Sequence, residues 1–246
     1  MLTKAQIKYI RSLTQQKFRN EYKVFIAEGE KIALEWLHAS GRIEMIVATE
    51  GWAETNKKVI ARHEEATLQI VKESELEVIS ALKAPNKVML AVPMPEQAPV
   101  QIGNGWYIAL DEIQDPGNMG TIIRIADWFG IKNILCSPGC TDVYSPKVVQ
   151  SAMGGHLRVN IVENDLLPVL SSTSLPIYAA TLDGESIYQV KRQESGILLI
   201  GNESKGISDR IKDIATHKIT IPRKGGAESL NAGVSAGILC ALLLPC

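Results

Sequence analysis

The chain has 246 residues, 46% apolar and 22% charged. That length can bury a proper core in one or two domains. With 26 Lys and Arg against 27 Asp and Glu the formal charge is −1, which excludes a bulk polycation, so any nucleic-acid site must be a local patch.

In chain order, apolar spacing predicts an amphipathic helix over residues 3–22, with Ile7, Ile10, Leu13 and the stem of Lys17 along one side. Up to Lys31 this end carries Lys4, Lys8, Arg11, Lys17, Arg19, Lys23 and Lys31 against Glu21, Glu28 and Glu30. That excess fits an RNA footprint and equally a solvated helix face. Strands follow at 24–27, 43–48, 68–71 and 88–92, with helices at 30–39, 54–65 and 73–82. The alternation argues for a small α/β domain over residues 1–94. Pro93, Pro95 and Pro99 with Gly103 and Gly105 mark a linker at 95–104.

A second alternating series fills residues 105–246. Strands are predicted at 106–110, 134–136, 159–162, 177–181, 197–200 and 218–221. Helices are predicted at 118–129, closed by Gly130, then 145–153, 166–171 and 208–215, with a last one of small residues ending near Leu244. The expected architecture is α/β: a mostly parallel sheet with helices on both faces. No Gly-x-Gly-x-x-Gly follows a strand and no Walker lysine pattern occurs, which disfavours a Rossmann or P-loop nucleotide site.

Cys136, Cys140, Cys240 and Cys246 form no C-x-x-C pair and the four histidines are scattered, so no metal is expected. Cys136 and Cys240 lie in apolar runs and read as small core residues. The start of the chain is polar and no apolar run reaches the ~20 residues of a membrane helix. The expectation is a cytoplasmic protein with reduced thiols and no membrane partner.

The chemistry gathers in three stretches. The first is Asp115-Pro116-Gly117-Asn118-Met119-Gly120-Thr121-Ile122-Ile123-Arg124, and the second Ile200-Gly201-Asn202-Glu203-Ser204-Lys205-Gly206-Ile207-Ser208. The third runs from Ile219 through Pro222, Gly225-Gly226 and Glu228-Ser229-Leu230-Asn231 into the last helix. Asn118 can cap a helix, as can Ser229 or Asn231. A helix start preceded by a glycine-rich loop suits a polar or anionic ligand. Arg124 can grip phosphate in a fork, or pair with Asp127 on the helix surface. Glu203 follows a strand's C-terminal end, where open α/β sheets bind ligands.

These three stretches, in this order, resemble the motifs of the SpoU (TrmH) family of RNA ribose methyltransferases, of the SPOUT class, closely from Trp106 onward and more loosely before it. The resemblance implies S-adenosylmethionine as cofactor and a deep trefoil knot in the C-terminal domain. It implies an active site of Asn118, Arg124, Glu203, Ser229 and Asn231. It implies cofactor contacts, largely through backbone, at Gly201, Asn202, Gly206, Ile221 and Leu230, with Thr181 and Leu182 as further candidates. Arg124 would be central to activating the ribose 2′-hydroxyl, and Ser229 and Asn231 would orient the catalytic group and the target ribose. Ser145 to Gly155 also resembles the family, and Lys147 with His156-Leu157-Arg158 reads as an RNA phosphate contact or as solvated charge. The first domain resembles the RNA substrate-binding domain often fused to such enzymes. Arg223 and Gly233 depart from the pattern: many relatives carry an apolar residue after the proline, and a β-branched residue is common at the second position.

The implied activity is methyl transfer to a 2′-hydroxyl of rRNA. A tRNA substrate, or an RNA-binding assembly factor without activity, are the alternatives. The resemblance also implies a homodimer through the C-terminal domain, which the leucines 239 and 242–244 favour by exceeding what one helix face can hide.

Overall fold

Thr3 opens the first helix with a capping box. Its hydroxyl accepts from the Gln6 N–H while the Gln6 side-chain oxygen accepts from the Thr3 N–H. In the computed structural model, which describes residues 2–39, 41–82, 86–96 and 101–245, helix α1 (Lys4–Ser12) then stops. The single helix expected over 3–22 is two. The Ser12 and Thr14 hydroxyls bond back to the carbonyls of Tyr9 and Arg11, and such bonds compete with the helix ladder. Helix α2 (Gln16–Tyr22) restarts after Gln15 in extended conformation and ends on Lys23 in the left-handed region.

Further along are β1 (Val24–Glu28), α3 (Glu30–His38), β2 (Met45–Thr49), α4 (Glu50–Thr55), α5 (Lys57–Ile60), β3 (Thr67–Val71), α6 (Glu73–Ile79) and β4 (Val88–Pro93). The helix expected over 54–65 is replaced by α4 and α5, because Asn56 leaves helical geometry and its side chain donates to the Trp52 carbonyl. These strands form a mixed sheet in the order β1-β4-β2-β3. Alternate residues face opposite ways. Phe25, Ala27, Ile46, Ala48, Leu90 and Val92 share a core with Trp36 and Leu37 of α3. Val24, Ile26, Met45, Val47, Met89 and Ala91 share the other with Ile10, Leu13 and Leu76.

The rest of the chain holds β5 (Trp106–Asp111), α7 (Pro116–Trp128), β6 (Asn133–Cys136), α8 (Pro146–Ala152), β7 (Asn160–Glu163), α9 (Leu166–Ser171), β8 (Ile177–Ser186), β9 (Gly196–Gly201), α10 (Asp209–Lys212), β10 (His217–Thr220) and α11 (Ala232–Leu243). Six strands form a wholly parallel sheet in the order β10-β8-β9-β5-β6-β7. Tyr107, Ala109, Leu135, Ile197 and Leu199 pack with Leu166 and Leu170 of α9 and Ile211 of α10. Their neighbours Ile108, Leu110, Ile134 and Leu198 are equally buried, and α11 packs on β9 and on α7. Burial on both faces is why these strands read as apolar runs. Cys136 and Cys240 are buried within this unit, and burial pushes the Cys240 thiol up to about 12.

Contacts divide the chain into one unit of residues 1–96 with 142–157, and another of 97–141 with 158–246. Helix α8 packs on β1, and Tyr144 and Val149 enter the Phe25 core of the first unit. Asp142 takes the ion pair of Arg19, whose guanidinium also donates to the Leu13 carbonyl. Arg19 is 2% exposed, so it leaves the basic footprint expected of the N-terminal segment. Lys4, Lys8, Arg11, Lys17, Lys23 and Lys31 remain exposed. Residues 97–100 of the expected linker, Pro99 among them, and Cys246 lie outside the described residues.

Candidate active site

Asp115 caps α7, its carboxylate accepting from the Asn118 N–H at 2.8 Å, and Pro116 occupies the first turn where its missing N–H costs nothing. This places Asn118 in that turn, 6% exposed. Its side-chain amide joins the other two motifs. Nδ2 donates to Glu203 Oε1 at 2.8 Å, and Oδ1 accepts from Asn231 Nδ2 at 2.6 Å. Asn231 is itself the cap of α11, its Oδ1 accepting from the Val234 N–H. Of the two caps the sequence allows there, Asn231 is the one used. Two helix N-termini and the exposed carboxylate of Glu203 thus meet at one buried amide. The amide orientations of Asn118 and Asn231 follow from this network, since Glu203 can only accept when ionised.

Glu203 projects from a tight loop after β9. Asn202 and Gly206 bridge backbone to backbone, and Asn202 Oδ1 accepts from the N–H groups of Ser204 and Lys205. Gly206 has φ +72, and a Cβ on Gly201 would lie 2.3 Å from the Gly206 carbonyl carbon. Both positions therefore require glycine.

Beside this loop lies a cavity of about 950 Å³. It is formed by three backbone segments. The second is a departure from regular pairing in β8. Tyr178 and Ala179 pair with His217 and Lys218, then the register jumps so that Glu185 and Ser186 pair with Ile219 and Thr220. Residues 180–184 are left over, which is why β8 runs past the expected end at 181. Thr181 and Leu182 line the cavity from this bulge. The third segment is the exposed loop 222–230. Gly201, Asn202, Gly206, Ile221 and Leu230 line the same space, as do Glu203 and Ser229. Sequence reasoning did not single out Lys205, Asp183 or Lys224, which also line it; as solvent-facing loop residues they give no periodic signal.

The cavity suits a small molecule with polar groups. Its size is that of a small-molecule site. Thr181 Oγ1 is buried and has no hydrogen-bond partner, an orphan that a ligand would satisfy. Among the described residues no cluster of His, Cys, Asp and Glu could hold a metal.

Arg124 is not in the cavity wall. It stands six residues beyond Asn118, about 9 Å along the helix, on the exposed stripe Thr121–Arg124–Trp128 of α7. The pair with Asp127 is not formed. Asp127 is instead gripped by Arg158 in a fork, at 2.8 and 2.9 Å. Arg158 thus has a partner within the chain while its side chain stays 44% exposed. His156 is half-buried, its Nε2–H donates to the Val143 carbonyl, and desolvation lowers its pKa to about 4, so it carries no charge for a phosphate at neutral pH. Lys147 stays exposed. Gly233 has its reason in Thr121, whose Cγ2 would lie 2.8 Å from a Cβ there, so α7 and α11 come close only over glycine. Leu239, Leu243 and Leu244 are buried within the chain, against the expectation of surplus apolar surface. The exposed large apolar side chains of α7 and α11 are Trp128, 84% exposed, and Val234, 50%.

Comparison with known proteins finds relatives over both parts of the chain. Residues 105–241 match the SpoU rRNA Methylase family, and residues 4–90 match the MRM3-like substrate binding domain. The chain is 28% identical over 240 residues to the 23S rRNA (guanosine(2553)-2′-O)-methyltransferase RlmP of Bacillus subtilis, covering 95% of this chain and 94% of that one. A putative RNA methyltransferase of the TrmH family from Porphyromonas gingivalis has a similar structure, with TM-score 0.88 and 35% identity over 99% of this chain and 98% of that one. So has an AdoMet-bound rRNA methyltransferase from Sinorhizobium meliloti, with TM-score 0.86 and 28% identity over 98% and 95%.

Proposed function

Because the chain belongs to the SpoU family of RNA methyltransferases, we infer that it transfers a methyl group from S-adenosylmethionine to a ribose 2′-hydroxyl of rRNA. The observation that carries this is the single amide of Asn118 bonded to both Glu203 and Asn231 at the edge of the cavity. The rRNA relatives favour that RNA as substrate.

The cofactor, when bound, supplies a sulfonium methyl. The 2′-oxygen forms the new C–O bond as the C–S bond breaks, and the hydroxyl proton must leave. The loop 201–206, the bulge at Thr181 and Leu182, and the segment from Ile221 to Leu230 would hold the cofactor and orient it in line with the hydroxyl. Asn118 and Asn231 would hold Glu203 and the target ribose, with Ser229 beside them. A guanidinium is fully protonated at neutral pH, so Arg124 would act by stabilising the forming alkoxide or through an RNA phosphate.

Arg124 lies outside the cavity wall of its own chain and shares an exposed helix stripe with Trp128. This favours a homodimer in which Arg124 of one subunit serves the cofactor of the other. A two-fold interface repeats one patch on both subunits, and Trp128 and Val234 supply apolar surface for it. The trefoil knot and the RNA-docking role of the first domain, with its exposed lysines, belong to the same reading.

Labelled methyl transfer to rRNA lacking this modification, with mapping of the nucleotide, tests the activity. Arg124→Ala and Asn231→Ala should each be nearly inactive. Their co-refolded heterodimer should regain activity, since one composite site keeps both groups. A mixed dimer as dead as its parents would return Arg124 to its own subunit.

A further inference from the structure

Two consecutive residues at the end of β5 grip both ends of the loop that carries Glu203. Asp111, 3% exposed, accepts from the Ser208 N–H at 2.7 Å. Glu112 presents its carbonyl to Asn202 Nδ2 at 2.8 Å. For that carbonyl to point there, Glu112 adopts φ +54. Of the other non-glycine residues with positive φ among the described ones, Lys23 and Met153 each end a helix, where this conformation is commonplace. Glu112 ends a strand, and a side chain held so is strained unless its surroundings fix it.

Three contacts fix it. The Glu112 N–H donates to Ser137 Oγ at 2.8 Å. Ser137 is 6% exposed and is itself tied by its own N–H to the Leu110 carbonyl at 2.9 Å. Gly139 leaves room for the side chain, since a Cβ there would lie 2.7 Å from Glu112 Cγ. The carboxylate stands 3.6 Å from Lys205 Nζ, an exposed pair of little weight. The Ser137 hydroxyl is thus the buried polar group that accepts the strained N–H.

We propose that Ser137, acting through the backbone of Glu112, is a positioning residue for Glu203 and for the cofactor-facing backbone of residues 201–206. Ser137 turns Glu112, Glu112 holds the Asn202 amide, and Asn202 Oδ1 holds the N–H groups of Ser204 and Lys205. Glu203 sits between residues fixed by this chain, so its reach toward Asn118 is set from the far side of β5. The kinetic part rests on the methyl-transfer reading; the loop's dependence on Ser137 does not.

The test uses the full chain with Ser137→Ala, Ser137→Thr, and Ser137→Ala combined with Glu112→Gly. Amide hydrogen exchange at Ser204 and Lys205 is read beside kcat and the KM values for S-adenosylmethionine and RNA. Ser137→Ala should speed exchange at both amides and lower kcat, each about tenfold, the worth of one ordinary hydrogen bond. It should raise the cofactor KM and leave the RNA KM unmoved. Ser137→Thr keeps the hydroxyl and should restore all of these. Glu112→Gly should rescue Ser137→Ala, because glycine takes positive φ without help. If Ser137→Ala does not fold, Ser137→Cys, with sulfur as a weak acceptor, gives the same readings. Unchanged exchange and unchanged kcat in a folded Ser137→Ala would overturn the proposal. A wild-type chain that transfers no methyl group, yet shows the exchange change on substitution, would sink the enzymatic reading and leave the brace standing.

Discussion

Replacing Asn118 by Ala removes an amide that bonds both Glu203 and Asn231. A hydrogen bond to a charged group is worth about 1.5–3 kcal/mol and a neutral one about 1. Glu203 is exposed, so water competes for it and the low end applies. The sum is about 2.5 kcal/mol, which is roughly 70-fold in rate if the bonds are felt in the transition state. Single-turnover transfer of labelled methyl to rRNA, on the wild type, Asn118→Ala, Glu203→Gln and the double variant, measures it. The cycle isolates the pair. The double variant should be little worse than Asn118→Ala, with a coupling of about 1.5 kcal/mol. Strictly additive losses, or an Asn118→Ala enzyme within twofold of wild type, would refute the view that Asn118 acts by holding Glu203.

Arg19→Met should destabilise the chain by about 3 kcal/mol in urea unfolding, because it strands the Asp142 carboxylate, whose side chain is only 13% exposed. Adding Asp142→Leu should recover part of that loss; equal instability of single and double variants would contradict the pair's role. His156 is held below its ordinary pKa, at about 4, so the unfolded chain binds the extra proton between there and about pH 6.5. Its contribution, about 3 kcal/mol, is full above pH 6.5 and is lost as pH falls toward 4. His156→Gln should flatten this part of the pH–stability curve, and an unaltered slope would discount the histidine.

Local pattern carried much of the architecture. The strands of the parallel sheet stand out as apolar runs because both their faces are covered. Breaks in helices were less visible: Asn56 and the Ser12–Thr14 turn act through side-chain bonds to backbone that leave apolar spacing almost intact. The α8 segment reads plainly as a helix, yet nothing in its sequence says that Tyr144 and Val149 belong with Phe25, more than a hundred residues earlier. Arg19 is similar. It reads as one more surface cation until Asp142 is known to lie beside it. At the site, Asn118, Glu203 and Asn231 were nameable from the resemblance of their motifs to the SpoU family, while Ser137 and Glu112 were not. Their significance lies in a backbone angle and a carbonyl direction, which no residue type announces.

Residues 142–157 return to the first unit after β6 has been made, so the chain passes between the units after residues 96, 141 and 157. During synthesis the first unit cannot complete its core until residue 157 has emerged, by which time β5 and β6 exist without their neighbour β9. The usual order, in which an N-terminal domain finishes folding before the next begins, does not apply to this chain. A single cut near residue 96 also separates α8 from its sheet, so the N-terminal fragment lacks part of its unit while the other fragment carries that part as a foreign segment. Exchange of the first unit between relatives would need the 142–157 segment to travel with it, which ties the inheritance of the two units together.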